Sequence, residues 1–329
     1  MALPASGKIT LDQVNIELDL AAGTAINMGS SDVRGLFEIA SGIIKMSDGY
    51  GKSSSVTLSP SSAGYQLIGS EIGFKEILAS TYVSAGGTLI IPSGYYIWSN
   101  TTGNPAFTID VACTVINNGY IIGRGGDGGI QSNTVAEDGS SGIQLTASGA
   151  DITNASGAYI CGGGGGGGYG YGGNFVGHAI GGGGAGGGIA WHYRNGTQNA
   201  GGAIGLAGVA VTGGNQAGAG GGGGFRVQSG FTGTTTYAGS GGRIPAGSGG
   251  TSSGGGNGGG TNNNGTNGGT SNAASGGGGG GWGASGGDGR SGSVGTAFQG
   301  TGGGAGKAVD LNNYTYTLTD NGTIYGTNT

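Results

Sequence analysis

The sequence predicts a mainly β, partly irregular protein of unlike parts: a small N-terminal module, a β-rich middle domain with stacked rungs, and a glycine-rich polyproline II helix bundle with little conventional core. Three observations carry this reading. Glycine supplies 91 of 329 residues, about four times its usual share. Residues 162–306 hold 65 of those glycines, whereas residues 1–161 hold 24. Strand-like segments with Asn-Gly turns occur both before and after the glycine-rich stretch.

The expected parts are residues 1–55, 56–161, 162–306 and a C-terminal return at 307–329. In the first, Ile-x-Leu/Met stubs recur at Ile9-Thr10-Leu11, Ile26-Asn27-Met28 and Ile44-Lys45-Met46. Asp12 precedes Val14, Ile16 and Leu18, and Ser31 or Asp32 precedes Val33, Leu36, Phe37 and Ile39, each a short helical pattern behind a capping residue. The third stub ends in a turn at Asp48-Gly49. About 50 residues bury too little surface for much stability alone. The module therefore either docks on another protein through the stubs or caps the next domain.

From Val56 to Ile160 the pattern is mainly β, with a helix expected around Ile68 to Leu78. Thr88–Ile91 and Tyr95–Trp98 flank Pro92-Ser93-Gly94, which predicts a hairpin-like turn. Thr114–Gly123 matches Thr317–Gly326 position for position, with a looser copy at Ile152–Gly162. Each copy reads strand, turn, strand, as stacking rungs would. The last copy brings the chain end back beside the middle domain, so the glycine-rich stretch is an excursion anchored at both ends. Cys161 takes the place of Ile122, and Cys113 and Cys161 read as small buried apolar residues.

Residues 162–306 contain 14 Leu, Ile, Val and Phe in all, too few for an ordinary core. Collagen requires glycine at every third position and abundant proline, but here glycines run in blocks and Pro245 is the only proline. A Gly/Ser linker lacks aromatics, but this stretch has ten. Polyproline II strands of glycine can approach on all sides and exchange backbone hydrogen bonds. The runs at 162–168, 181–188, 220–224, 254–260 and 276–281 are about 16–25 Å long at 3.1 Å per residue, so they could lie side by side. A bulky change such as Gly164→Val should then disrupt packing. The segments between runs become loops at the two ends.

Two stretches, "VINNGYIIGRGGDGG" and "GAYICGGGGGGGYG", with the alternation of glycine runs and loops that follows, resemble the tip adhesins of long tail fibres in T-even-like phages. The N-terminal "ASGIIKMSDGYGKS" is similar to a module of many tailed-phage tail and fibre proteins. The resemblance implies a bacteriophage receptor-binding protein, a virion component at a tail or fibre tip assembled in the host cytoplasm. It implies as partners a bacterial outer-membrane protein or surface saccharide, and another phage tail or fibre protein through the N-terminal module, with a copy number of one or three per fibre. The N-terminal 55 residues look less like a T-even adhesin than like other tailed phages.

Within the loops, Trp191, His192, Tyr193, Arg194, Phe225, Arg226, Phe231 and Tyr237 concentrate the residue types that dominate binding hot spots. They are the candidate receptor-binding residues, although aromatics could equally seal the ends of the bundle. Ile9, Leu11, Ile26, Met28, Ile44 and Met46 are the candidate attachment residues. No catalytic residue, metal or cofactor is expected. The many G-x-G-x-x-G matches follow from composition and lack a strand–helix context. Cys161, His178 and His192 fit no familiar metal spacing. Asp110, Asp127, Glu137, Asp138 and Asp151 could in principle serve a depolymerase, but such carboxylates more often form turns. A structural fibre or baseplate scaffold is the alternative reading. Net charge is −7 in residues 1–161 and +3 in residues 162–306, so neither part reads as a nucleic-acid binder. No apolar run approaches 18 residues and the start has no apolar h-region, which predicts no membrane insertion and synthesis in a cytosol.

Overall fold

The computed structural model describes residues 3–4, 6–18, 20–37, 39, 41–50, 55–68, 71–129, 135–171, 277–289 and 298–329, with positions 178–179, 184, 190–191, 198–199 and 267. The N-terminal module holds α1 (Leu11–Glu17), α2 (Ser31–Phe37) and a 3-10 turn at Met46–Gly49. The cap of α1 is Thr10 rather than Asp12: Thr10 Oγ1 accepts from the Gln13 backbone and Gln13 Oε1 accepts from the Thr10 N–H. Asp12 instead accepts from Gly23 N. Leu3, Ile9, Val14, Val33, Leu36 and Phe37 form the module's own small core.

Strands then visit three sheets in turn. The first sheet contains β1 (Ser55–Thr57), β5 (Thr88–Ile91), β8 (Thr114–Asn117), β11 (Ala150–Asn154) and β19 (Tyr316–Asp320). The second contains β2 (Tyr65–Ile68), β3 (Glu71–Lys75), β6 (Tyr95–Trp98), β9 (Tyr120–Ile122), β12 (Tyr159–Cys161) and β20 (Thr323–Tyr325). The third contains β4 (Ile77–Leu78), β7 (Phe107–Ile109), β10 (Ile143–Leu145) and β18 (Val309–Asp310). Apart from the antiparallel pair β2–β3, neighbours in these sheets are parallel. The product is a three-faced parallel β-solenoid.

Alternation along each short strand explains its core. Leu89, Val115 and Ile152 stack in register in the first sheet, and Ile97, Ile121 and Ile160 do so in the second. All six are fully buried in one cluster with Phe107, Ile109, Ile143 and Leu145. The repeat identified in the sequence is the register of the rungs: Thr114 faces Asp151, which faces Thr317, and Ile122 faces Cys161, which faces Tyr325.

The Asn-Gly motif has a cause at the corner between the first two sheets. Asn117 Oδ1 accepts from Gly119 N at 3.1 Å while its Nδ2 donates to Asn154 Oδ1 at 2.9 Å. Asn154 Nδ2 in turn donates to Asp320 Oδ1 at 2.8 Å, and that oxygen accepts from Gly322 N. The side chains thus tie successive turns through the interior, where unpaired amides would be costly. Gly119 is required because a Cβ there would overlap the carbonyl oxygens of Tyr95 and Pro92.

Two expectations are corrected. Where a helix was expected, Ile68 ends β2 and residues 71–78 carry β3 and β4. Phe74 must enter the solenoid interior while Gly73 faces outward beneath the ring of Trp98, an alternation that a helix cannot supply. Pro92-Ser93-Gly94 does not close a hairpin, because β5 and β6 belong to different sheets. It is a solenoid corner, with Tyr95 N bonded to Pro92 O at 3.2 Å and Gly94 at φ 80°.

Both cysteines are free and buried. Burial, with the nearby Asp110 charge, pushes the Cys113 thiol up to about 11, and burial alone pushes the Cys161 thiol higher still. Thiolate is the reactive form. Native protein at pH 8 should therefore give no rapid reaction with a thiol reagent, and denaturant should release both thiols; a fast native phase at either site would contradict the packing.

Candidate functional site

The corner between the second and third sheets carries the glycine-rich segments. Residues 123–142 join β9 to β10, and residues 162–308 join β12 to β18. Gly162–Gly168 lies at the centre of a hydrogen-bonded array with steps of three residues. Gly163 and Gly166 donate to Ser140 O and Glu137 O; Gly165 and Gly168 donate to Ala284 O and Gly287 O. From other sides, Gly126 and Gly129 donate to Gly164 O and Gly167 O, Gly303 and Gly306 to Gly166 O and Gly163 O, and Gly277, Gly280 and Gly283 to Gly168 O, Gly165 O and Gly162 O. These bonds are 2.7–2.9 Å long, so backbone amides hold the segments together where apolar side chains are missing.

Side chains fasten this platform at two places. Arg124, 4% exposed, bonds Asp127 Oδ1 at 2.6 Å, Glu137 Oε2 at 3.2 Å and Gly125 O at 3.1 Å. It ties residues 124–127 to residue 137 where their backbones also pair. Trp282, on a turn between two glycine segments, is fully buried against Trp98, Ile122 and Cys161 on the outer face of the second sheet. Beside it Tyr96, Tyr120, Tyr159 and Tyr325 form a ladder of rings with centroids 4.6, 5.5 and 6.2 Å apart. Lone Arg124 and Trp282 within glycine runs were the available sequence signals for both fastenings.

Four of the five carboxylates weighed for catalysis have structural partners. Asp127 and Glu137 share Arg124, Asp110 accepts from Ser80, and Asp138 Oδ1 accepts from Gly304 N. Asp151 is exposed at the surface of β11.

Two-residue strands leave the platform. β13 (Gly170–Tyr171) pairs antiparallel with β14 (His178–Ala179) and with β17 (Phe298–Gln299), and β15 (Ala190–Trp191) pairs with β16 (Gln198–Asn199). Trp191 faces Gln198 in the last pair, so residues 192–197 connect the two strands. His192, Tyr193, Arg194, Phe225, Arg226, Phe231 and Tyr237 lie outside the described residues. Of the candidate attachment residues, Ile9 belongs to the module's core and Ile26, Met28, Ile44 and Met46 pack against it. Leu11 is 52% exposed, and Ile16, Leu20, Ile43 and Tyr50 are also open, Ile43 at 86%.

The hydrogen-bonded platform on one corner of the solenoid leads directly into β13 and its antiparallel partners. The model of the family described as phage tail fibre adhesin Gp38 matches residues 55–219, half of the chain, and the chain belongs to that family. It is a phage tail-fibre adhesin and a virion component. The chain is also similar to one in the crystal structure of the gp37-gp38 adhesin tip complex of the bacteriophage S16 long tail fiber, at 20% identity, 91% coverage of each chain and a TM-score of 0.46. No curated protein matches this chain.

Proposed function

We propose that this adhesin recognises the bacterial surface through the loops between its glycine runs, with the runs packed as a polyproline II bundle. The observation that carries the reading is the three-residue step of the hydrogen bonds around Gly162–Gly168, which matches the three residues per turn of polyproline II. Such a bundle anchors its loops while leaving their sequences free to vary. The receptor is an outer-membrane protein or surface saccharide, and the role is binding without catalysis. Trp191, His192, Tyr193, Arg194, Phe225, Arg226, Phe231 and Tyr237 are the contact candidates. Truncation of a buried Trp or Arg anchor costs more than about 2 kcal/mol, roughly thirtyfold in affinity. Folded Trp191→Ala and Arg226→Ala proteins should therefore each bind host cells far more weakly than wild type. Undiminished binding by both would remove these loops from the reading.

Residues 1–55 form the attachment module, 56–161 and 307–329 the solenoid, and 162–306 the bundle. The module joins another tail or fibre protein, at one or three copies per fibre, during assembly in the host cytoplasm. Because five of the six stub residues serve the module's own core, the contact falls to the open Leu11 together with Ile16, Leu20 and Ile43. Leu11→Glu with Ile43→Glu should leave a soluble adhesin that still binds cells but is missing from particles. Normal incorporation would place attachment elsewhere.

A further inference from the structure

The solenoid ends at β19 and β20, and among the described residues no strand adjoins their outer edges. The interior is incompletely closed there. Ile152 and Ile160 are fully buried, but Leu318 and Ile324, their counterparts one rung on, are only partly buried. The side-chain ladder also changes chemistry at this end. Asn117 and Asn154 each accept through Oδ1 and pass a hydrogen bond onward through Nδ2. Asp320 accepts in the same way but has no amide to donate, and its carboxylate is exposed. A following strand must therefore bring a donor to Asp320, and a cationic one makes the stronger bond.

We propose that this end of the solenoid is a strand-acceptor surface for an extended segment of another polypeptide, with an apolar residue over Leu318 and a Lys or Arg beside Asp320. Backbone pairing along β19 would supply affinity, and the positions over Leu318 and Asp320 would supply selectivity. A second copy stacked head to tail is disfavoured by the far end of the solenoid, where Val56 of β1 shares a cleft with Leu18, Asp32 and Leu36 of the N-terminal module. A copy meeting it through this same end would bring a second Asp320 and, from residues 316–329, no Lys or Arg to pair with the first.

The test uses the full chain and two fluorescein-labelled peptides copying residues 316–325, one unmodified and one carrying Asp320→Lys. In anisotropy titrations the lysine peptide should bind at least about tenfold more tightly than the unmodified one, with the difference shrinking as salt is raised. The same Asp320→Lys change made in the protein should invert that preference, and Asp320→Asn, which keeps the ladder and the Gly322 cap, should abolish it. Failure of both peptides to bind, equal binding, or a preference insensitive to residue 320 would overturn the proposal. So would a wild-type dimer dissociated by the peptides, which would assign the edge to a second copy.

Discussion

Gly164→Val is expected to break the glycine platform while the same kind of enlargement at Gly304 is nearly neutral. A Cβ on Gly164 would overlap the carbonyl oxygens of Gly280 and Gly281, and Gly164 O accepts the Gly126 N–H at 2.8 Å. Backbone cannot rotate aside as a side chain can, so at least two segments must separate and lose their bonds. We expect a loss on the order of 3 kcal/mol or more, the upper range for overpacking. At Gly304 the nearest atom to an added Cβ is Asp138 Oδ1, at 3.2 Å, on a side chain that can yield. Urea unfolding of Gly164→Val and Gly304→Ala, followed by hydrogen exchange at residues 162–168, separates the two. Equal midpoints and unchanged amide protection would show that the close packing is not stabilising.

The second large effect is expected at Arg124. Arg124→Met keeps the approximate length of the stem but leaves Asp127, whose side chain is 12% exposed, without its cation. Removing one partner of a buried pair costs about 3–5 kcal/mol, chiefly through the charge left behind. We expect the lower part of that range, because Glu137 is 38% exposed and solvent screens its share. Lysine should not restore stability, since one ammonium cannot reach Asp127, Glu137 and Gly125 O with the planar fork of the guanidinium. Arg124→Met with Asp127→Asn should recover part of the loss. If Arg124→Met unfolds at the wild-type denaturant concentration, the cluster does not fasten the platform.

Much of the solenoid was legible because its repeat is local in sequence and repeated in space. Asn117-Asn118-Gly119 and Asp320-Asn321-Gly322 stand out wherever a short strand must turn sharply after a ladder residue, and their alignment is the observed register. The pairing of Cys161 with Ile122 followed from the same alignment. In the N-terminal module both helices were readable from apolar spacing, but the stubs' inward packing was not. A short Ile-x-Met segment looks the same whether its apolar residues face a core or a partner. The segment Ile68–Leu78 is ambiguous in sequence for a related reason. Its apolar spacing suits a helix, and only Gly73 beneath Trp98 and Phe74 in the interior show that the segment alternates.

By itself the sequence determined that residues 162–306 lack the apolar side chains for a core and that a rung recurs at the chain's end, because composition and short periodic motifs are properties of neighbouring residues. Only the tertiary structure decided which carbonyl each glycine N–H meets, that Arg124 gathers Asp127 and Glu137, and that Trp282 docks on the second sheet. Glycine backbone is identical at every position and carries no label for its partner. The three-residue register emerges only when both ends of the excursion are held by β12 and β18 of one solenoid.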